Sequence, residues 1–221
     1  MNFVSVNKII IGILSGLLLL VVTAPGSLLI DKKLLARIEK QYGPDARKRL
    51  VNWSKLVIRN TKLTDLEKLK LVNNFFNKVQ FISDKEHWKK TDYWATPLEF
   101  LTTNGGDCED FSIAKYFTLR ELGVPMEKLR LTYVKSLTLN QAHMVLSYFV
   151  EPVADPLILD NIIKKIKPAS GRRDLIPVYS FNGEGLWIAK ERGQGRFVGD
   201  SRKISPWNNM MGRMRAIKIS S

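Results

Sequence analysis

One change of rhythm constrains this chain more than any other feature. Up to Gly123 the apolar residues recur three and four apart, and beyond Pro125 they alternate. "LLARIEKQYG" sets Leu34, Leu35, Ile38 and Tyr42 at helical spacing and stops at Gly43-Pro44, and "PDARKRLVNWSKLVIRN" continues with Leu50, Trp53, Leu56 and Val57. "TDLEKLKLVNNFFNKVQF" opens with Thr64 and, three residues later, Glu67. That is a capping box, and it lines up Leu66, Leu69, Val72, Phe75, Phe76 and Val79 on one face. "CEDFSIAKYFTLRELGVP" repeats the helical pattern with Phe111, Ala114, Phe117 and Leu122. After it, "LRLTYVKS", "AHMVLSYFV" and "PLILDNI" read as strands, and "IPVYSFNGEGLWIA" as a hairpin with a Gly-rich turn. Helices followed by strands predict an α+β fold, with N-terminal helices packed on an antiparallel β-sheet. The apolar stripes are core.

The ends divide from this body. "MNFVSVNKIIIGILSGLLLLVVTAPGS" carries Lys8 and then the uncharged run Ile9 to Val22, about 21 Å as a helix and short of a bilayer core of roughly 30 Å. Val22 and Ala24 suit a cleavage site after Ala24, although Pro25 follows it. Residues 1–30 are therefore expected to be a signal peptide, or an uncleaved anchor that keeps the N-terminal segment at the inner membrane. Either puts the domain, residues 31–205, outside the cytoplasm. Residues 206–221 read as a basic C-terminal extension, after one more strand near "GRFVGD". The net charge of +14 is spread along the chain without a basic block or a nucleic-acid motif. A solvated basic surface is the better reading, and no nucleic-acid partner is expected.

The chemistry gathers at "TTNGGDCEDFSIAKYF". Cys108 is the only cysteine, so no intramolecular disulfide is available, and it stands at the threshold of an apolar helix. A helix starting there aims free N–H groups and the positive end of its dipole at the sulfur, which favours the reactive thiolate. Gly105-Gly106 would let the backbone turn sharply and a substrate approach. The neighbouring acids, Asp107, Glu109 and Asp110, oppose a thiolate unless a cation offsets them or they point away. A thiolate nucleophile needs a base and the base an orienting group. His143 opens a strand 35 residues after Cys108, and Asp160 ends the apolar run "PLILD" 17 residues further on. The other histidine, His87, lies in the polar loop "SDKEHWKKTDYWATPLEFLTTNGG" and reads as a surface residue, and only a short helical turn is expected there, after Pro97.

From about Trp53 to Trp187, the linked segments "TPLEFLTTNGGDCEDFSIAKYFTLRELGVP", "LRLTYVKSLTLNQAHMVLSYF", "PLILDNI" and "LIPVYSFNGEGLW" resemble the bacterial transglutaminase-like cysteine proteinases. The resemblance implies a papain/transglutaminase-like core with Cys108 as nucleophile, His143 as base and then acid, and Asp160 as orienter. It implies Ca²⁺ bound through Asp107 and Glu109, with Asp110 a further acid within reach, and hard carboxylate oxygens suit that ion. It also implies a periplasmic endopeptidase whose substrate is the N-terminal region of a large surface adhesin. An inner-membrane cyclic-di-GMP receptor of the LapD type would sequester it, so that its release disperses biofilm. The calcium is expected to be structural, holding the loop before Cys108. The Cys108 backbone N–H is one expected oxyanion donor, and Trp94 a candidate for a second.

Two other readings of the residues stand beside this one. A transglutaminase or deamidase on the same core would act on glutamine side chains and release ammonia. A non-enzymatic calcium-dependent binding module would make Cys108 incidental. One cysteine and two distant histidines lack the paired spacing of a closed zinc site.

Overall fold

Four helical stretches of this chain start where a side chain or a proline satisfies their first turn. In the computed structural model, which describes residues 30–190 and 194–219, Asp31 accepts from the Leu34 amide at 2.6 Å to open α1 (Lys32–Tyr42). Gly43, at φ 84°, turns the chain into α2 (Pro44–Arg59), with proline at its first position, where a missing N–H costs nothing. The capping box at Thr64 and Glu67 opens α3 (Asp65–Phe76) as expected, and Thr96 with Glu99 forms a second box at the head of α5 (Pro97–Thr103). The polar loop between them holds a short α4 (Asp84–His87). The strands β1 (Gln80–Phe81) and β2 (Gly105–Gly106) pair in parallel and lead directly into α6 (Cys108–Glu121).

After α6 the chain is mostly sheet. The strands β3 (Leu129–Ser136), β4 (Gln141–Tyr148), β5 (Leu157–Leu159), β6 (Lys167–Pro168), β7 (Leu175–Phe181), β8 (Leu186–Lys190) and β9 (Gln194–Gly199) form one sheet in the order β6-β5-β4-β3-β7-β8-β9. Every pairing in it is antiparallel. The expected hairpin is β7–β8. Alternation sorts β4 as its sequence suggests: Met144, Leu146 and Tyr148 enter the main core with the helices, while Val145 joins Val134 and Ile158 in a small cluster on the opposite face. The main core runs from Leu34 through Trp53, Phe76 and Phe100 to the central strands. Two side chains tie helices to one another. Arg49 of α2 donates to the Leu101 and Thr102 carbonyls that end α5, and the Trp53 indole donates to Thr118 of α6 at 2.7 Å.

Three expectations change here. Leu66, placed on the core stripe, is half exposed, and Lys68 is buried in its stead. The described part of the expected basic extension, residues 206–219, lies in an additional helix, α7 (Ser205–Ile219), whose Trp207 and Met210 are buried in the main core. The sequence placed that segment outside because Arg213, Arg215 and Lys218 dilute its apolar pattern. The sharp turn before Cys108 is made not by the glycines but by Asn104, at φ 57°, in the left-handed region that closes α5. The signal or anchor expected over residues 1–30 lies outside the described residues, except for Ile30. Among the described residues no helix is long and apolar enough to cross a membrane.

Candidate active site

Cys108 is the first residue of α6, as its position before the apolar stripe predicts, with Asp107 as the N-cap. Strand β2 delivers it there, and the close approach of Gly106 is to the protein itself. A Cβ on Gly106 would collide with the Asp110 carboxylate and with Phe100. The helix is pinned to the sheet by Ser112, one turn on, whose hydroxyl donates to the Met144 carbonyl at 3.0 Å. The Met144 backbone, next to that carbonyl, is near enough to the Cys108 sulfur to favour its thiolate slightly. The thiol is thus held against the residue that follows His143.

His143 and Asp160 are in direct contact, Nε2 to Oδ1 at 2.9 Å, and both are essentially excluded from solvent. The sheet explains the meeting. Leu146 of β4 pairs with Leu159 of β5 in antiparallel register, so the residues just before Leu146 face those just after Leu159. The Asp160 carboxylate is held on all sides: Oδ1 also accepts from the Ile162 amide at 3.0 Å, and Oδ2 accepts from Arg172 Nη2 at 2.7 Å. Burial pushes this carboxyl up, but the His143 hydrogen bond and charge, with the Ile162 and Arg172 contacts, outweigh it and leave Asp160 well below the usual carboxylate range. Asp160 is therefore ionised at any ordinary pH, and the imidazole nitrogen left over for chemistry is Nδ1. Cys108 and His143 form no direct hydrogen bond here. The thiol donates instead to Glu109 Oε2 at 3.1 Å.

The acids form a cluster larger than the sequence suggested. Carboxylate oxygens of Asp84, Asp107 and Asp110 lie within 4.8 Å of one another, and so do those of Asp84, Asp92 and Glu109. None of the five forms an ion pair with a basic side chain among the described residues. Asp84 Oδ1 and Asp107 Oδ1 are buried without any hydrogen-bond donor. Burial, with the charges of Asp107 and Asp92, raises Asp84 to about 6 against the opposing Tyr93 amide. Burial likewise pushes Asp110 well up, and burial with Asp107 and Asp110 does the same to Glu109. An all-oxygen, unpaired, partly desolvated set of this kind fits a hard divalent cation such as Ca²⁺. The thiol feels the same charges: burial first, then Glu109 and Asp107, push Cys108 well above its ordinary value. The opposition of neighbouring acids to a thiolate, expected from the sequence, is thus a property of the folded site.

Asp107 and Glu109 were foreseen, and Asp84 and Asp92 were not. Both lie in the polar loop, about twenty residues upstream, and the parallel pairing of β1 with β2 gathers that loop under Cys108. His87, expected at the surface, is half-buried, with Nε2 2.8 Å from Thr103 Oγ1 and its ring edge-on to Trp88. Trp94 donates its indole N–H to Asp92 at 2.9 Å and is buried, so that donor is already engaged and not free for an oxyanion. Arg172 is a further residue that sequence reasoning missed.

The profile of the family described as bacterial transglutaminase-like cysteine proteinase matches residues 48–187. No curated protein matches the chain. Among solved structures, Legionella pneumophila LapG in EGTA-treated form is 48% identical, with a TM-score of 0.72 over 81% of this chain and 97% of that one. Its calcium-bound form is 47% identical, with a TM-score of 0.71 over 82% and 98%.

Proposed function

Because this chain belongs to the bacterial transglutaminase-like cysteine proteinase family and is a cysteine protease of the LapG type, we propose that Cys108, His143 and Asp160 carry its reaction. The observation that supports this most is the solvent-free His143–Asp160 contact, beside a thiol pinned at the head of α6. The Cys108 sulfur adds to the scissile carbonyl as His143 Nδ1 takes the thiol proton. His143 then gives that proton to the departing amine, which leaves as the new N-terminus. Water, deprotonated by His143, hydrolyses the thioester and frees the sulfur. Asp160 stabilises the imidazolium while keeping Nδ1 toward the reacting atoms. The Cys108 backbone N–H, in the first turn of α6, would donate to the developing oxyanion.

Calcium is part of the same proposal. Asp84, Asp92, Asp107, Glu109 and Asp110 would hold it, and bound there it would supply positive charge that offsets the carboxylates beside the sulfur. Glu109 is engaged twice, as a member of the cluster and as the acceptor of a hydrogen bond from the Cys108 thiol. Removal of calcium with EGTA should therefore abolish activity, and Asp107→Ala or Glu109→Ala should reproduce the loss. Activity that survived both would contradict the assignment.

The substrate we propose is the N-terminal region of a large surface adhesin, cut in the periplasm to release the adhesin and disperse biofilm. An inner-membrane cyclic-di-GMP receptor of the LapD type would control the protease by sequestering it. The uncharged run Ile9 to Val22 supports export or anchoring. The test is to incubate the purified protein, with and without Ca²⁺, with the N-terminal part of a co-encoded adhesin. The expected product is a new N-terminus at one site and only with Ca²⁺. Ammonia release from an intact backbone would mean a deamidase or transglutaminase instead.

A further inference from the structure

A carboxylate that orients an imidazole has to be oriented itself, and Asp160 uses only one oxygen for His143. Its other oxygen accepts from Arg172 Nη2 at 2.7 Å. The same guanidinium grips Asp174, Nε to Oδ1 at 3.0 Å and Nη2 to Oδ2 at 2.8 Å. Arg172 is 3% exposed, an uncommon setting for an arginine that only decorates a surface. Its backbone is fixed as well: its amide donates to the Ala169 carbonyl, and its carbonyl accepts from Leu175 at the start of β7. Asp174 is held in turn, because the Leu137 amide at the end of β3 donates to its carbonyl at 2.8 Å. Asp160, Arg172 and Asp174 therefore form a chain of charges that ties the end of β5 to the start of β7 across the central strands.

We infer that Arg172 is a positioning residue of the hydrolytic site: its guanidinium, braced by Asp174, locks the Asp160 carboxylate in the orientation that presents Oδ1 to His143 Nε2. The inference rests on the assignment of His143 and Asp160 to the reaction. The groups that face Asp160 are His143 from β4, Arg172 from the segment before β7, the Ile162 amide from its own turn, Asn77 at the C-cap of α3 on its backbone carbonyl, and Lys115 of α6. Lys115 acts on Asp160 through charge and makes no hydrogen bond to it among the described contacts, so it cannot replace the fork. Lysine at position 172 would be a poor substitute, since one ammonium lacks the planar set of donors that spans two carboxylates.

The test compares Arg172→Met, Arg172→Lys and Asp174→Asn with the wild type in calcium, alone and in an Asp160→Asn background. Arg172→Met should lower kcat by roughly tenfold to a hundredfold while KM stays within about twofold, since a carboxylate that wanders by about an ångström misaligns the base. Arg172→Lys should recover part of that loss. Asp174→Asn, which loosens the brace but keeps the cation, should fall between and covers the case in which Arg172→Met does not fold. In the Asp160→Asn background, Arg172→Met should cost less than about twofold more, because the carboxylate it serves is gone. The low-field proton resonance of His143 Nε2–H should be present in wild type and displaced in Arg172→Met. Equal losses of kcat in both backgrounds, or an undisturbed kcat and resonance in Arg172→Met, would overturn the inference. A wild-type protein that cleaves no peptide bond would overturn the protease reading instead, and the imidazole resonance would still decide the role of Arg172.

Discussion

At the scale of single residues, the most telling cost in this molecule is Lys115. It lies on α6 two turns beyond Cys108, is 1% exposed, and burial lowers it to about 7 although the charge of Asp160 opposes the shift. A lysine whose folded pKa is depressed contributes stability above its unfolded value, near 10.4, and that stability is lost as pH falls through the folded value. Unfolding free energy should thus rise between about pH 7 and pH 10. Lys115→Met should flatten the rise and stabilise the protein at neutral pH by about 2 kcal/mol, since an apolar side chain of similar length removes the desolvation penalty. Denaturant titrations of both proteins across that range measure the difference directly, because other groups that titrate there are common to both. A wild-type curve that already matched Lys115→Met would show that the ammonium is not desolvated. Nothing in the local sequence announces Lys115 as buried. It occupies a position between Ala114 and Tyr116 that the helical stripe assigned to neither face.

Elements were legible wherever a local signal fixed both an end and a face. Thr64 with Glu67, Gly43 with Pro44, and Gly123 with Pro125 each mark a boundary by satisfying or terminating backbone hydrogen bonds, and the structure keeps all three. The alternation of β4 survives because the sheet is covered on both sides there, by the main core and by the smaller cluster. The last helix escaped notice, although Trp207, Met210, Met211 and Met214 stand at i, i+3, i+4 and i+7. The Trp207 ring stacks on Phe117 at 5.7 Å and meets Phe181 edge-on at 5.3 Å. Trp207→Ala should therefore cost about 3–5 kcal/mol in chemical denaturation, whereas a detachable extension would lose nothing. The same helix reaches the segment that follows Asp92. Arg213 donates to the Trp94 carbonyl and to Glu99, and lies over the Tyr93 ring at 4.4 Å. That clamps the segment following Asp92, so Arg213→Ala should weaken Ca²⁺ binding severalfold by calorimetry and leave the core's stability almost unchanged.

Across the whole molecule, the fold assembles a site from segments that a linear reading sees as unrelated. One antiparallel register brings Asp160 to His143, and one two-residue parallel pairing brings the polar loop of Asp84 and Asp92 beneath Cys108. The proposed reacting groups were named chiefly through the resemblance to the family, because a sole cysteine, a histidine near the start of a strand and a strand-closing acid fit a triad by spacing without singling it out. The supporting groups could not be picked out in advance, since Asp84, Asp92 and Arg172 are ordinary charged residues until the fold buries Asp84 and Arg172 and gathers Asp92, still exposed, beside Glu109. The same division predicts how the site fails. Changes to the support should lower the rate or the ion affinity by degrees, while loss of the sulfur should end the chemistry. The most direct measurement is a count of new N-termini formed from the adhesin fragment in calcium by wild type and by Cys108→Ala, at matched concentration and with melting curves confirming both folds. A nucleophilic Cys108 predicts a single new terminus with wild type and none with Cys108→Ala. Cleavage at the same bond by Cys108→Ala would contradict it.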